Sequence, residues 1–310
     1  MFDVVTGGAG FIGSHLVDTL VAEGNEVVVI DSLCAGRRDT IARHIDSCAI
    51  RFVQADLLSD GWQDAIKGAD RLFHLAADPD VRQSAANPEP TLQNNIMATY
   101  RILEAMRHGN IPEIVFTSTS TVYGDARVIP TPEDYAPLLP ISVYGASKLA
   151  CEALISAYCY SFGMKSWIYR FANIVGERSG HGVITDFIRK LKDNPAELDI
   201  LGDGKQVKSY LDVHECVAAM LFALRAREAV NIFNIGSEDW IDVRSIAEIV
   251  AEEMHLPEVK FRFTGGERGW VGDVPKMQLS LERIKSRRWK PQLGSRESVR
   301  LAARDLVRSG

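Results

Sequence analysis

A tyrosine and a lysine stand four residues apart in the segment SVYGASK, residues 142–148. If a helix begins near Val143, Tyr144 and Lys148 are neighbours on one face of it. Free tyrosine has a pKa of about 10 and is a poor base at neutral pH, but a neighbouring ammonium stabilises the phenolate. The pair is weak evidence alone, and it predicts a general acid–base site only together with the features around it.

A cluster of hydroxyl side chains precedes this pair, at the end of a β-branched run that reads VFTSTSTVYG over residues 115–124. A hydroxyl at a strand end can bridge a substrate oxygen to Tyr144. Strand propensity and turn formation explain most of these residues, so we expect one of them to be catalytic. The candidates are Thr117, Ser118, Thr119, Ser120 and Thr121.

Three glycines follow the first predicted strand in the segment TGGAGFIG, where Gly7, Gly10 and Gly13 have GxxGxxG spacing. A tight turn needs residues without a Cβ, the backbone must approach a pyrophosphate closely, and the N–H groups at the helix start then face its negative charge. Glycines at this spacing in an arbitrary loop would mean little. Between a strand and a helix they predict a dinucleotide-binding site.

Asp31 ends the second predicted strand, 18 residues after Gly13. A carboxylate at this position accepts hydrogen bonds from the adenosine ribose hydroxyls and repels a 2′-phosphate. The expected cofactor is therefore NAD rather than NADP. The nearby Arg37 and Arg38 keep NADP open as an alternative, or they are solvated surface residues.

Short β-branched runs alternate with amphipathic stretches over the first half of the chain, which is the rhythm of a parallel sheet covered on both faces. Residues 14–23, 184–192 and 243–254 read as helices. Asp56, with Leu57, follows the third run, where it either contacts the adenine or caps a helix N-terminus. The runs that we predict to be strands are residues 2–6, 26–31, 50–54, 71–75, 113–118 and 165–171.

This alternation predicts an α/β fold with a doubly wound, mostly parallel Rossmann sheet. Because the alternation weakens after residue 176, we expect the rest of the chain to form a smaller C-terminal α/β substrate lobe. We place the NAD-binding domain at residues 1–175, with residues 209–237 returning to it, because NIFNIGS at 231–237 reads as a further strand. The substrate lobe then comprises residues 176–208 and 238–310.

The 310 residues are 46% hydrophobic and 25% charged, with a formal net charge of -6. This composition excludes disordered, collagen-like and repeat-array chains. The mild acidity gives no basic surface for nucleic acid, and no apolar run approaches the roughly 20 residues that a membrane helix needs. The N-terminus becomes glycine-rich before a signal peptide's apolar stretch is complete, so we expect a cytoplasmic protein.

The five cysteines are scattered, odd in number and form no CxxC pair. A disulfide framework or a structural zinc site is therefore not expected, and a reducing compartment fits best. His15 and His74 have no other metal ligands beside them in the sequence, and His181 is a lone histidine, so we predict no metal site.

In their order along the chain, these motifs resemble those of the extended short-chain dehydrogenase/reductase family, and within it the UDP-glucose 4-epimerases of the compact archaeal type. The likeness covers nearly the whole chain, and such an ordered series is far more specific than any one motif. The segments that carry it are TGGAGFIGSH, HLAA at residues 74–77, STSTVYG, YGASK, RFANIVG, HGVITDFI, LGDGKQVKSY and RGWVGDVP, together with Asp31, Asn94 and Asn95.

The resemblance implies roles for individual residues. Tyr144 would be the general base and acid at the hydroxyl of sugar carbon 4, Lys148 would hold the nicotinamide ribose and lower the tyrosine pKa, and Thr119 would be the catalytic Ser/Thr. Asn173 falls on the position that binds the nucleotide-sugar diphosphate, and Val183 lies in a substrate-facing loop. Cofactor contacts are implied, besides the glycines, Asp31 and Asp56, at Phe11, Ile12, Ser32, Leu57, Ala76, Ala77, Asn95 and Thr117.

The implied reaction inverts carbon 4 of a UDP-hexose, UDP-glucose or UDP-galactose, through a transient 4-keto sugar, with NAD kept bound through turnover. Dehydratases that resemble this chain carry Asp and Glu directly after the catalytic Thr, and xylose-type decarboxylases usually keep the Glu, whereas this chain has Ser120 and Thr121. The alternatives are another nucleotide-sugar dehydratase or reductase of the same family, or a non-catalytic NAD-sensing protein.

The chain departs from its relatives at the cationic contacts. Many epimerases have Arg at the position of Lys208. They have a second Arg at the position of Trp270, whereas in this chain the arginine, Arg268, stands two positions earlier. We expect Lys208 and Arg268 to bind the diphosphate, or to be surface charges. Met277 would border the 2-substituent of the sugar, or it packs in the core. The usual Lys after HLAA is missing, and residues 78–82 read DPDVR.

The resemblance also implies a homodimer, in which helices at residues 92–106 and 149–161 pair into a four-helix contact. The apolar faces of these helices would equally suit packing against the sheet. The sequence leaves both arrangements open.

Overall fold

The computed structural model describes residues 1–270 and 272–309. Val271, in the RGWVGDVP segment, and Gly310, at the end of the predicted lobe, lie outside the described residues. The strands are β1 (Phe2–Thr6), β2 (Glu26–Asp31), β3 (Ile50–Gln54), β4 (Arg71–His74), β5 (Glu113–Thr119), β6 (Lys165–Phe171), β7 (Asn173–Val175), β8 (Glu197–Ile200), β9 (Val207–Lys208), β10 (Tyr210–Asp212), β11 (Val230–Ile235), β12 (Ile241–Asp242), β13 (Lys260–Phe263) and β14 (Lys276–Met277).

The α-helices are α1 (Phe11–Ala22), α2 (Ala42–Asp46), α3 (Val81–Ala86), α4 (Pro88–Thr91), α5 (Ala98–Gly109), α6 (Val143–Phe162), α7 (Val183–Asp193), α8 (Val213–Ala223), α9 (Val243–Glu253), α10 (Glu282–Lys285) and α11 (Ser295–Ser309). A π-helical segment, Leu92–Met97, joins α4 to α5, and 3₁₀ turns cover Arg38–Ile41, Gln63–Ile66 and Ser120–Tyr123. None of the helices in the described residues combines the length and the apolar character needed to cross a bilayer.

Seven strands form the central sheet, in the order β11-β6-β5-β4-β1-β2-β3. β1 pairs in parallel with β2 and β4, β2 with β3, and β4 with β5, which confirms the predicted doubly wound architecture. The inner strands are buried almost throughout, as in a sheet covered on both faces. The chain crosses from one side of β1 to the other between β3 and β4, so the carboxyl ends of β1 and β4 border the crevice where such sheets bind ligands.

The predicted strands and helices fall where hydrophobic periodicity places them. The six predicted strands are β1 to β6, each with bounds within one residue of the prediction, and the NIFNIGS segment supplies β11 of the same sheet. In α1, Leu16, Val17 and Leu20 are fully buried, while Val21 on the same predicted face is only partly so. The burial of each large apolar side chain contributes roughly 1.5–3 kcal/mol, which fixes α1 against the sheet.

The chain divides into two compact units that alternate along the sequence. The first comprises residues 1–122, 142–170 and 220–233, and the second residues 123–141, 171–219 and those from 234 onward. The predicted division differs in four segments, since residues 123–141, 171–175, 209–219 and 234–237 cluster with the second unit. For the longest of them, residues 123–141, the reason lies in Asn234, whose side-chain amide donates to the Thr131 carbonyl at 2.9 Å and accepts from the Tyr123 hydroxyl at 2.7 Å.

The second unit is built from small sheets and a group of helices. β7 pairs with β10 and β8 with β13, both in parallel, and β9 lies between β12 and β14. The helices α7, α9 and α11 pack on one another through a core of apolar residues that includes Phe187, Leu191, Ile246, Ile249 and Val299.

Candidate active site

Helix α6 presents the tyrosine and the lysine as the sequence predicts. It begins at Val143, and the Ser142 hydroxyl caps it by accepting from the Gly145 N–H at 3.0 Å. A capped first turn has a fixed direction, since the cap satisfies one of the free N–H groups. Tyr144 and Lys148 therefore project from the first two turns of α6, one turn apart.

Of the hydroxyl cluster at the end of β5, Thr119 is the residue that meets Tyr144. The Thr119 side chain lies close enough to the Tyr144 hydroxyl to favour its ionised form, as a hydrogen-bond donor does. The Thr119 Oγ1 also accepts from the N–H and the hydroxyl of Thr121, both at 3.2 Å. Because Thr121 supplies donors to this oxygen, the Thr119 proton is directed to Tyr144 or to a substrate oxygen.

The other hydroxyls of the cluster point elsewhere. The Ser118 hydroxyl donates to the Glu152 carboxylate in a short hydrogen bond, and the Thr117 hydroxyl reaches the His74 carbonyl at 3.5 Å. Thr117 is predicted to contact the cofactor, and in the structure its carbonyl accepts from the Lys148 ammonium at 2.9 Å. The structure thus brings Thr117 to Lys148.

Burial raises the pKa of Tyr144 above its ordinary value, and the nearby Asp78 and Cys151 add to the rise, while the Thr119 hydrogen bond opposes it. The direction is opposite to the lowering that the resemblance implies. The physical reason is that the half-buried phenol lies near the Asp78 carboxylate. The Lys148 ammonium, which would stabilise a phenolate, donates instead to the Thr117 carbonyl of β5. In the protein chain by itself, Tyr144 is held as a neutral phenol.

Burial lowers the pKa of the lysine, whereas it raises that of the tyrosine. The cause is the same, because burial disfavours the charged form, which is the protonated form of lysine and the deprotonated form of tyrosine. It lowers the pKa of Lys148 to about 8, against smaller upward effects from Cys151 and Glu152. The ammonium also lies 4.7 Å from the centre of the Phe116 ring, a favourable cation–π distance. Lys148 is thus mostly charged at neutral pH but close to titrating.

The glycine turn forms a cradle that larger residues would fill. Gly7 has φ 73°, and a Cβ on it would lie 2.6 Å from the Ala76 nitrogen; a Cβ on Gly13 would collide with the Gly7 carbonyl oxygen. Gly10 is the N-cap of α1 and has no side chain to accept the first N–H groups of the helix, those of Phe11, Ile12 and Gly13. A pyrophosphate fits this arrangement, because the free N–H groups and the helix dipole both favour an anion.

Asp31 lies at the carboxyl end of β2, beside the same turn. Its carboxylate is 7% exposed and accepts from the Ala9 N–H at 3.0 Å and the Leu33 N–H at 2.8 Å. These bonds hold a negative charge next to the cradle. Arg37 pairs with an exposed carboxylate and Arg38 lies over the Phe52 ring, as expected for surface residues.

The other residues predicted to contact the cofactor differ in how exposed their side chains are. Ala76 and Ala77 are partly exposed after β4, beside the glycine cradle, and Ser32 is exposed after β2. Leu57 is 7% exposed and packs in the core of the first unit. Asp56 caps a turn by accepting from the Leu58 N–H at 2.9 Å, and no helix begins there. The helix-cap alternative for Asp56 is therefore wrong.

Asn95 occupies the π-helical segment and is 2% exposed. Its amide oxygen accepts from the Asp78 N–H at 2.8 Å, and its NH₂ donates to the Ser147 hydroxyl at 2.8 Å and to the Asp78 carbonyl at 3.3 Å. Ser147 in turn donates to the Tyr144 carbonyl at 2.8 Å. Asn95 thus ties the loop after β4 to α6. Sequence reasoning missed Asp78 and Ser147, for which the only signals are proximity to HLAA and to Tyr144.

A second buried network supports Lys148 from the next turn of α6, and sequence reasoning missed it as well. Glu152 is 5% exposed and forms an ion pair with Arg170 of β6 at 2.7 Å. With the Ser118 bond, Glu152 connects the ends of β5 and β6 to α6. The signal available in the sequence is that Glu152 follows Lys148 by four residues, one helical turn.

The predicted substrate-binding residues other than Thr119 belong to the second unit. Lys208 and Met277 are paired neighbours in β9 and β14. Asn173 begins β7 and donates to the Ser209 carbonyl at 3.2 Å. Val183 begins α7, whose N-cap is Gly182 with φ 106°.

The two predicted cations of this unit are both ion-paired. Lys208 contacts Asp273 at 2.6 Å and lies 5.2 Å from the centre of the Trp270 ring. Arg268 contacts Asp125 at 2.8 Å and also donates to the backbone carbonyl of Asp273. Asp273 therefore joins Lys208 and Arg268 into one cluster.

Known proteins of one family are similar to this chain over most of its length. Residues 4–236 match the model of the NAD dependent epimerase/dehydratase family. The chain is 33% identical over 305 residues to a putative UDP-glucose 4-epimerase of Methanocaldococcus jannaschii, a match that covers 96% of this chain and 95% of the relative. It is 30% identical to UDP-glucuronic acid decarboxylase 1 of Arabidopsis thaliana, over 96% of this chain and 67% of the relative. A crystal structure of a UDP-galactose 4-epimerase superposes with a TM-score of 0.90 at 43% identity, over 100% of this chain and 99% of the other.

Proposed function

The chain belongs to the NAD dependent epimerase/dehydratase family, and from this premise we propose that it inverts carbon 4 of a UDP-hexose and so interconverts UDP-glucose and UDP-galactose. The observation that carries the proposal is the group formed by Thr119, Tyr144 and Lys148, in which Thr121 bonds to Thr119. Dehydratases that this chain resembles have carboxylates directly after the catalytic Thr, whereas here Ser120 and Thr121 follow it. The aliphatic hydroxyls of Ser120 and Thr121 can orient a substrate but cannot remove a proton as a carboxylate does.

The residues of the first unit fit the cofactor of the family, NAD. The glycine cradle and the start of α1 would hold its pyrophosphate, and Asp31 would accept from its adenosine ribose. Bound NAD would supply the hydride acceptor that oxidises sugar carbon 4 and the donor that reduces it again. Because the reaction has no net oxidation, the same cofactor serves every turnover.

The proton transfers belong to Tyr144 and Thr119. We assign Tyr144 as the base that takes the proton from the 4-hydroxyl and later returns it to the 4-keto oxygen, with Thr119 donating a hydrogen bond to that oxygen. Ionising a free phenol at neutral pH requires a shift of about 3 pKa units, or about 4 kcal/mol. Burial and Asp78 act against this shift, so the phenolate needs the positive charge that bound NAD and Lys148 would supply, and Tyr144 would give its own proton to water before it takes that of the 4-hydroxyl. The phenol formed in this way is the acid that returns the proton in the second step.

The proposed assignment of the substrate residues follows their chemistry. Lys208 and Arg268 would bind the diphosphate of the nucleotide sugar, with Asn173 beside it, and Met277 and Val183 would contact the sugar. The pairing of Lys208 with Met277 in neighbouring strands supports a common site in the second unit. A lysine supplies charge but no bidentate geometry, so Arg268 would orient the phosphate group.

A product analysis tests the proposal. Purified protein is incubated without added NAD with UDP-glucose, UDP-galactose, their N-acetylated forms and UDP-glucuronic acid, and the products are followed by NMR. We expect UDP-glucose and UDP-galactose to interconvert without accumulation of NADH. A 4-keto-6-deoxy product, loss of carbon dioxide from UDP-glucuronic acid, or no conversion of any sugar would replace the epimerase assignment with a dehydratase, a decarboxylase or a non-catalytic NAD-binding protein.

We also propose that the protein is a homodimer through the outer face of α5, α6 and the π-helical segment. Large apolar side chains are exposed there, with Met97 and Tyr100 each 42% and Tyr160 75% exposed. Large exposed apolar side chains that together form a patch commonly mark an interface. Sedimentation velocity should show a dimer that Tyr160→Asp dissociates, while Leu139→Asp, which alters a 66% exposed apolar residue of the second unit, leaves it intact. A monomeric unaltered protein would contradict this.

A further inference from the structure

Four charged side chains of the second unit form one chain of contacts. Lys208 pairs with Asp273 at 2.6 Å, and Arg268 pairs with Asp125 at 2.8 Å. The Arg268 guanidinium also donates to the Asp273 carbonyl, which links the two pairs. The cluster therefore contains two cations and two carboxylates, and its formal charge is zero.

The two carboxylates have different surroundings. The Asp273 side chain is 2% exposed, and besides Lys208 it accepts from the Gly269 N–H at 3.0 Å. Asp273 thus stabilises the turn that carries Arg268. Its carboxylate also holds the Lys208 ammonium beside the Trp270 ring. If either partner of a buried ion pair moves away, the other charge is left unpaired at a high cost in free energy. We therefore expect the Lys208–Asp273 pair to stay formed when a ligand binds.

Asp125 is the exposed carboxylate of the cluster. Its side chain is 48% exposed and that of Arg268 41%, and the two are joined through both guanidinium NH₂ groups at 2.8 and 3.3 Å. An ion pair this exposed is weak and exchanges readily, because water and salt screen it. The bond of Arg268 to the Asp273 carbonyl does not depend on Asp125, so the guanidinium keeps an anchor when Asp125 leaves it.

A diphosphate presents the same ligand as a carboxylate to an arginine, namely two oxygens in a plane, but with more negative charge. A nucleoside diphosphate that approaches this cluster meets a repulsive Asp125 and a guanidinium that Asp125 already occupies. If the diphosphate replaces Asp125 on Arg268, the ligand gains a charged partner, and the released Asp125 carboxylate, which is 48% exposed, is solvated by water.

We propose that Asp125 is an exchangeable counter-ion that holds Arg268 and gives it up to the diphosphate of the substrate, so that this carboxylate sets the affinity for the nucleotide. The proposal rests on the proposed function, since it takes a UDP-sugar as the ligand. Asp125 thereby becomes a positioning residue that acts through Arg268, and Asp273 is the scaffold that keeps Lys208 and Arg268 in place. The competing view is that the Asp125 pair only fastens segment 123–141 to the turn that carries Arg268.

The test measures binding of UDP by titration calorimetry at low ionic strength. Asp125→Asn should bind UDP about two- to fivefold more tightly than the unaltered protein, the range that release of an exposed ion pair permits. Added salt should reduce this difference, since it screens the pair. Asp193→Asn removes one exposed carboxylate from the end of α7 in the same unit and should leave the affinity unchanged.

A double-mutant cycle with Arg268→Gln separates exchange from fastening. If Asp125 acts through Arg268, Arg268→Gln weakens UDP binding and the gain from Asp125→Asn largely disappears in the double variant. Unchanged or weaker binding by Asp125→Asn, or a gain that persists in full without Arg268, would overturn the inference while leaving the proposed function standing. If the unaltered protein does not bind UDP, both are wrong.

Discussion

At the scale of single residues, the site depends on which partner each polar atom has. Thr121 donates twice to Thr119, which leaves the Thr119 proton for Tyr144, and Thr117 offers its carbonyl to Lys148. Residue types and spacing predicted the Tyr144 and Lys148 pair and a single hydroxyl beside it. They could not predict that Asp78 and burial raise the pKa of Tyr144, because this depends on the fold around the phenol.

The Lys148 ammonium gives the site a measurable pH dependence. Burial lowers its pKa from an ordinary 10.5 to about 8, so it loses its proton at a lower pH than a free lysine. We predict that kcat falls as pH rises through about 8, because the positive charge is then lost beside the bound cofactor and substrate. The measurement is kcat for epimerisation as a function of pH.

Lys148→Arg provides the control, since an arginine stays charged throughout this range. Its kcat is expected to be lower but independent of pH between about 7 and 9. An unchanged alkaline decrease in this variant would assign the decrease to another group. The same pKa shift has a consequence for folding: burial of the ammonium lowers the free energy of unfolding below pH about 8, and this loss diminishes as pH rises toward 10.5.

At the scale of elements, local sequence signals located most of the structure. The β-branched runs and the apolar face of α1 predicted the positions of these elements, and α6 begins at Val143, near the start supposed for it. The π-helical segment that carries Asn95 was not predictable, because a π turn differs from an α turn by one extra residue and leaves no distinct hydrophobic pattern. Its bonds to Asp78 and Ser147 are long-range contacts, which local patterns do not specify.

The N-cap of α6 should matter more for catalysis than for stability alone. Ser142→Ala removes the bond to the Gly145 N–H and is expected to lower the free energy of unfolding by about 1 kcal/mol. Because Tyr144 lies in the turn that this cap fixes, we also expect kcat to fall several-fold. Chemical denaturation and initial-rate kinetics on the same preparation measure the two effects.

Asp242→Ala is the matched control for the α6 cap. Asp242 caps α9 in the second unit by accepting from the Ser245 N–H at 2.8 Å. This substitution should cost a similar free energy of unfolding and leave kcat unchanged. Equal losses of kcat in both variants would show that the effect of Ser142 comes from stability and not from the position of Tyr144.

At the scale of the whole molecule, the order of the strands locates the chemistry. The chain reverses beside β1, and the glycine cradle follows β1 while the HLAA segment follows β4, so both border the crevice between these strands. This sheet and the return of β11 could be predicted from the sequence. That residues 123–141 join the second unit could not, because Asn234 and the residues it contacts are 103 and 111 positions apart along the chain.

The most direct test follows the hydrogen on sugar carbon 4. UDP-glucose with deuterium at carbon 4 is converted in ordinary water with unlabelled free NAD present, and the UDP-galactose formed is examined by NMR and mass spectrometry. If bound NAD takes this hydrogen and returns it to the opposite face of the same sugar, the product keeps the deuterium at carbon 4 and free NADH carries none. Deuterium lost to water, transferred to free NADH or found at carbon 6 of the product would contradict epimerisation through a transient 4-keto sugar.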